Sequence, residues 1–239
     1  MTALVTYQLD HGIATLTMDD GKANAISLPM LAELNAALDR AAADKAGVIL
    51  TGRTGTFSGG FDLPTLMSRK PAALDMVLGG FQLAERLLSN PKPVVIACNG
   101  HAIAMGAFLL LTGDYRIGTE GAFKITANEV ALGLTMPHSA TEICRQRLTP
   151  AHFQRTVINA EIYSPADGVT AGFLDRLVPA AELADAARSA AAQLGKLNQP
   201  AHAATKLRAR KLALQALREA IEADRTDLQA LAPRSAPVA

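Results

Sequence analysis

Tryptophan is absent from the 239 residues, and aromatic side chains of all kinds make up only 4% of them. A surface that stacks nucleobases is therefore poorly supplied. An excess of one charge is also missing: 23 Lys and Arg stand against 22 Asp and Glu, a formal net charge of +1. That balance argues against nucleic acid as a partner and makes any anion site a local feature. The two cysteines, Cys98 and Cys144, lie in apolar or helical contexts without metal-ligand spacing. They read as buried free thiols of a reducing compartment, not as a disulfide. No metal-ligand cluster and no Ser-His-Asp order stands out. No apolar run approaches the ~20 residues of a membrane span. Met1-Thr2-Ala3-Leu4 lacks the basic and apolar segments of a secretion signal. The expectation is a cytoplasmic protein that does not engage a membrane.

What is present is a core: 49% of residues are hydrophobic and 19% charged, enough for one α/β domain or one domain with a helical tail. Val5 to Leu9 and Ile13 to Met18 alternate across Asp10-His11-Gly12, a hairpin pattern. Ser27 is a fitting N-cap for an amphipathic helix from Leu28 to Ala43, with Pro29 early in it. Gly47 to Gly52 reads as a buried strand, and Arg53 to Leu63 as a glycine-rich loop. A helix from Met76 to Leu88 is stopped by Asn90-Pro91-Lys92-Pro93. Later helices begin near Ser139, Pro150 and Ser164, and Leu174 to Pro179 reads as a last strand. Two alanine-rich helices, 180–197 and 201–231, are split by Asn198-Gln199-Pro200, and the tail Ala232 to Pro237 should fray.

The chain is organised around Val94-Val95-Ile96-Ala97 and the segment that follows, Asn99 to Phe108. Four buried-type residues make a strand covered on both faces. Asn99-Gly100, a pair tolerant of positive φ, is expected to turn the chain. Small residues and the apolar run from Phe108 to Leu111 then start a helix. Such a turn leaves backbone N–H groups aimed at open space, where developing negative charge can be held.

The motifs on this frame resemble the crotonase superfamily of enoyl-CoA hydratase/isomerase-like proteins. The resemblance runs through Lys22-Ala23-Asn24-Ala25-Ile26, the loop Phe57-Ser58-Gly59-Gly60-Phe61-Asp62-Leu63, Lys92 to Ala97 with Asn99-Gly100, and Asp114 to Ile117. It continues through Asn128-Glu129-Val130-Ala131-Leu132-Gly133-Leu134 and Gly172 to Pro179. It covers nearly the whole chain, and its force lies in the ordered set. It implies an α/β fold, a spiral of ββα units over 1–195 with a C-terminal helical region over 196–239. It also implies a homotrimer or dimer of trimers, a coenzyme A thioester as substrate, and no further cofactor. By the same resemblance an enolate is held by two backbone N–H groups, here those of Phe61 and Met105, with Gly60 and Gly106 beside them.

Departures from the family pattern then sort the chemistries. Hydratases of the family carry two glutamates; one aligns with Glu129, and the other position is Phe108. Hydration needs water activated at one carbon and a proton delivered at the next, work for two carboxylates. Moving a double bond needs one carboxylate that takes a proton from the α carbon and returns it at the γ carbon. An apolar neighbour such as Phe108 would exclude water and raise that carboxylate's pKa. The pattern resembles the family's Δ3,Δ2-enoyl-CoA isomerases, with Glu129 as acid and base. A divergent enoyl-CoA hydratase and a non-catalytic acyl-CoA-binding protein are the alternatives. An ionisable Glu129 beside the thioester favours an enzyme, and one turned to solvent favours a binder.

For the carrier, the resemblance places Lys22, Ala23 and Ala25 near adenine and pantetheine, and Lys206 near a coenzyme A phosphate. Phe61, Leu66 and Met67 hint at an apolar acyl pocket. The resemblance also counts Gly60, Asp62, Leu63, Gly106 and Phe108 among the substrate-binding positions, with Asp62 organising its loop; His138 is expected at a helix start or on the surface, and His101 to make local hydrogen bonds. Asp114 is expected to be structural, and Glu142 to lie on a helix surface.

Overall fold

A computed structural model describes residues 3–68 and 70–231. Strand β1 (Val5–Asp10) turns through His11 and Gly12, both at positive φ, into β2 (Ile13–Met18); this is the expected hairpin, with Asp10 paired to Ile13 in the strand and not part of the turn. Helix α1 (Leu28–Ala43) begins where Ser27 accepts the Met30 N–H at 3.3 Å. It ends in a Schellman motif: Lys45 N–H reaches Ala42 O at 3.1 Å, and Ala46 N–H reaches Ala41 O at 2.9 Å. Lys45 holds the left-handed position at φ 54°, where a side chain is disfavoured. Lys45→Gly should therefore raise stability by about 0.5–1 kcal/mol in thermal or urea unfolding.

Strand β3 (Gly47–Thr51) lies parallel to β2 and to β5 (Val94–Cys98). Beyond β5 come β7 (Tyr115–Thr119) and β9 (Arg176–Val178), giving a six-stranded sheet in the order β1-β2-β3-β5-β7-β9. Val48, Leu50, Val94, Ile96 and Cys98 point into the larger core, while Ile49, Val95, Ala97 and Ile117 point the other way. The second face is covered by α8 (Leu183–Gly195) through Leu183, Ala187, Ala190 and Ala191. Double coverage explains why these strands read as continuous apolar runs.

Of a second sheet the sequence showed only a short strand expected over Ala122–Ile125, which overlaps its last strand at Ile125. Its parallel strands β4 (Gly55–Ser58), β6 (Gly100–Ile103) and β8 (Ile125–Thr126) are short, and β4 lies inside the segment expected to be loop. The expected positive φ at Asn99-Gly100 is also corrected. The chain runs on through Asn99 into β6, and the positive φ falls on Ala104, at 49° with ψ −121°. Gly100 is needed for a different reason: a Cβ there would stand 2.0 Å from the Gly55 carbonyl carbon of the paired strand. Asn99 instead fastens the loop that follows β3, its side-chain amide donating to Gly52 O at 2.6 Å and Arg53 O at 2.8 Å.

Between these strands lie α2 (Leu63–Met67), α3 (Pro71–Ser89) and α4 (Met105–Leu110). Helix α3 starts five residues earlier than its apolar stripe indicated, because Pro71 occupies the first turn where its missing N–H costs nothing. Then follow α5 (His138–Arg145), α6 (Pro150–Val157) and α7 (Pro165–Ala171). The expected final helix is two, α9 (Gln199–Ala209) and α10 (Lys211–Leu231), broken at Arg210. Leu214, Leu217 and Ile221 of α10 belong to the larger core, so the C-terminal helices share it with the β strands. The expected fraying of 232–237 lies outside the described residues.

Candidate active site

The site is assembled from three chain segments, and the first is held by a carboxylate. Asp20 accepts N–H groups of Lys22 at 2.7 Å, Asn24 at 2.8 Å and Ala25 at 2.9 Å. Burial opposes its charge, but these N–H groups win and hold its carboxyl below the usual range. They wrap the loop into a turn in which Asn24 adopts φ 50°. The Asn24 amide then donates to Met18 O at 2.9 Å, Thr56 O at 3.1 Å and Phe57 O at 3.2 Å.

That turn is stitched to the glycine-rich segment. Ser58 Oγ donates to Asn24 O at 2.7 Å and accepts the Gly60 N–H at 3.2 Å. Gly59 N–H reaches Ala23 O, and Ile26 N–H reaches Gly60 O, both at 2.7 Å. Phe61 N–H is left without an acceptor among the described residues. Asp62 caps α2, its carboxylate accepting the Thr65 N–H at 3.0 Å, and Leu63, first in that helix, is exposed. Lys22 and Ala23 are exposed and Ala25 partly so, on the outer side of the turn.

The third segment meets the second at Gly60. A Cβ on Gly60, which sits at φ 94°, would stand 2.9 Å from Ala104 Cβ, 3.0 Å from Ile103 O and 3.4 Å from Met105 N. Phe61 and Met105 thus follow two backbone corners in mutual contact. Met105 is the first residue of α4, a position whose N–H has no intrahelical acceptor. Gly106 behind it packs on Ser58, whose carbonyl oxygen would lie 2.3 Å from an added Cβ. Below, α3 makes room: a Cβ on Gly80 would strike the Phe61 ring at 2.5 Å. Phe81 meets Phe61 edge-on at 6.0 Å between ring centres and lies 6.4 Å from Phe108. Met105 and Phe108 are fully covered, so the space behind the two corners is filled with hydrocarbon.

Glu129 approaches from the second sheet. Ala104 N–H bonds Thr126 O at 2.8 Å, which ties the Met105 corner to β8, and Glu129 follows three residues on, before the turn Val130–Leu132. The residue is 9% exposed, and Oε2 has no hydrogen-bond partner among the described residues. Burial pushes its pKa up to about 7, against a smaller opposing effect of its own N–H. Its charge in turn helps burial to raise the Cys144 thiol. Both cysteines are buried free thiols.

Lys206 corrects an expectation. Its side chain is only 4% exposed, and its ammonium is already occupied by Asn90 O at 2.8 Å, Lys92 O at 3.0 Å and Asp114 at 2.6 Å. It is an internal strut with no donor left for a phosphate. Arg210 pairs with the same Asp114 at 2.9 Å, and Val94 N–H completes its hydrogen bonds. His138 starts α5 with its ring beside Asp227 at 3.3 Å, largely exposed. His101 accepts the Lys124 N–H. The positioning roles of Asp20, Asn24 and Ala104 were missed. Asn24 could have been found from its tolerance of left-handed φ, whereas alanine carries no such signal.

A family model described as enoyl-CoA hydratase/isomerase matches residues 8–235. Among solved structures, an enoyl-CoA hydratase/isomerase family protein from Pseudomonas syringae is 51% identical, with TM-score 0.92, covering 94% of this chain and 98% of its own. An enoyl-CoA isomerase from Mycobacterium tuberculosis is 46% identical at TM-score 0.89, covering 96% and 99%. An enoyl-CoA hydratase from Mycobacterium marinum is 45% identical at TM-score 0.91, covering 94% and 99%. No helix among the described residues is long and apolar enough to cross a membrane.

Proposed function

The chain belongs to the enoyl-CoA hydratase/isomerase family, and on that premise we propose that it is a Δ3,Δ2-enoyl-CoA isomerase with Glu129 as its single acid–base group. The observation that carries this reading is the buried Glu129 carboxyl with an unpartnered oxygen, together with Phe108 where a second carboxylate would be required for hydration. Ionised Glu129 takes a proton from C2 of the 3-enoyl thioester. Electron density moves onto the thioester oxygen, where the Phe61 and Met105 N–H groups receive it. The neutral carboxyl then delivers the proton to C4, the double bond settles between C2 and C3, and the carboxylate is restored. A pKa near 7 suits a group that must both accept and return a proton. The aromatic and methionine packing around Phe61, Phe81 and Phe108 keeps competing water out of that cycle. Lys22, Ala23 and Ala25 remain the proposed carrier contacts, and the same reading takes the assembly as a homotrimer or dimer of trimers.

The hydratase reading draws on the family's double description and on the M. marinum relative. Purified protein given a 3-enoyl-CoA and a 2-enoyl-CoA in parallel separates the two. Fast double-bond migration with negligible hydration is the expected result; hydration at a comparable rate would sink the isomerase assignment. Gly60→Ala should lower kcat for the 3-enoyl-CoA by about 10²-fold, because the added Cβ pushes the two donor corners apart. Steady-state kinetics on the variant would check this, and an unchanged kcat would remove those corners from the mechanism.

A further inference from the structure

At the other end of α4 from Met105, three guanidinium groups from three parts of the chain converge on one turn. The Gly113 carbonyl oxygen accepts Nη2 of Arg147, from the α5–α6 connection, and Nη2 of Arg210, from the α9–α10 break, the latter at 3.5 Å. Arg116 of β7 passes alongside, its Cγ 3.1 Å from where a Cβ on Gly113 would stand. Arg116 is neutralised by Asp175 at 2.5 Å, and Asp114 is shared by Lys206 and Arg210. Arg147 has no carboxylate within ion-pair distance among the described residues, although Asp114 and Asp175 lie near enough to act on its charge. Four cations therefore share two carboxylates in one largely buried cluster. The Arg147 Nε is buried and has no hydrogen-bond partner among the described residues, while the side chain as a whole is only part-buried. Uncompensated buried charge is costly, and a guanidinium matches the oxygens of an oxyanion closely.

We propose that Arg147, with Arg210 beside it, holds a small tetrahedral oxyanion of the phosphate or sulfate class that balances this excess of positive charge. Nothing in the isomerase cycle uses these groups. The ion would close the junction between α4, the α5–α6 connection and the α9–α10 break, and so would act on the stability of the whole chain.

The test uses the full-length protein in inorganic phosphate and in chloride at matched pH and ionic strength. Phosphate should raise Tm saturably, by about 5 °C at high occupancy, and should show an exchange-broadened phosphorus resonance. Arg147→Met and Arg147→Gln should abolish both effects while leaving turnover of a 3-enoyl-CoA unchanged, and Arg147→Lys should retain part of the Tm response. The absence of a saturable rise in the wild type, or an equal rise in Arg147→Met, would overturn the proposal. Displacement of bound phosphate by coenzyme A would place the site in substrate binding and overturn the proposal of a separate structural ion. Retention of bound phosphate in the presence of coenzyme A is the expected result and identifies a free ion.

Discussion

Glu129→Gln is expected to be more stable than the wild type at pH 8, by about 3 kcal/mol. The native carboxyl titrates near 7, pushed up by burial, against an ordinary value of 4.5 in the unfolded chain. Between those two pH values the native state keeps a proton that the unfolded state has released, so stability falls as pH rises through that window. Above pH 7 the folded protein carries a buried carboxylate with one oxygen unpartnered, and the gap between the two values corresponds to about 3 kcal/mol. Glutamine has nearly the same shape and no charge to desolvate. Its advantage should be full at pH 8 and should vanish near pH 4.5, where the wild-type carboxyl is neutral in the native state. For a chain of this length the gain is worth on the order of 6–12 °C in Tm. Urea unfolding at the two pH values checks it. Equal stability at pH 8 would mean that Glu129 reaches solvent and that its pKa is ordinary. The gain comes with loss of the base, a trade of stability for function of the kind expected at active sites.

Asp114→Asn should act in the opposite direction, with a loss of about 3–5 kcal/mol. Asp114 receives Lys206 at 2.6 Å and Arg210 at 2.9 Å, all three side chains being at most 12% exposed. Replacing the carboxylate by an amide keeps an acceptor for the Val94 N–H but leaves two buried cations without their counter-charge. The loss should appear in thermal and urea unfolding. Adding Lys206→Met to Asp114→Asn should recover part of it, because one stranded charge is then gone. A loss below about 1 kcal/mol would show that the carbonyls of Leu88, Asn90 and Lys92 are enough to hold both cations.

Features governed by neighbouring residues were legible before the structure. The hairpin at His11-Gly12, the Ser27 cap of α1 and the buried strands β3 and β5 follow from turn chemistry, capping and apolar runs. The second sheet was hidden because its strands are only two to four residues long, too short for an alternating pattern to show. They exist through pairing with segments about 25 to 45 residues away. The break at Arg210 interrupts an alanine-rich pattern that is locally good helix, and the residue at the break pairs with Asp114, distant in the chain. Lys206 was placed near a phosphate by resemblance alone, and a lysine on a helix carries no local sign of the buried partner it has in Asp114. The segment Gly59 to Asp62 was recognisable from its motif. The left-handed Asn24 and the strained Ala104 that aim its neighbours depend on the packing of three loops at once.

The central claim is that one carboxylate moves the proton between C2 and C4. Its most direct test is kcat/KM for a 3-enoyl-CoA from pH 5.5 to 9, in the wild type and in Glu129→Gln. The account predicts that the wild-type rate rises about tenfold per pH unit at the acid end and levels off near 7. It predicts that Glu129→Gln runs about 10³-fold slower without that inflection. A variant that keeps the wild-type rate, or the same pH profile, would contradict it.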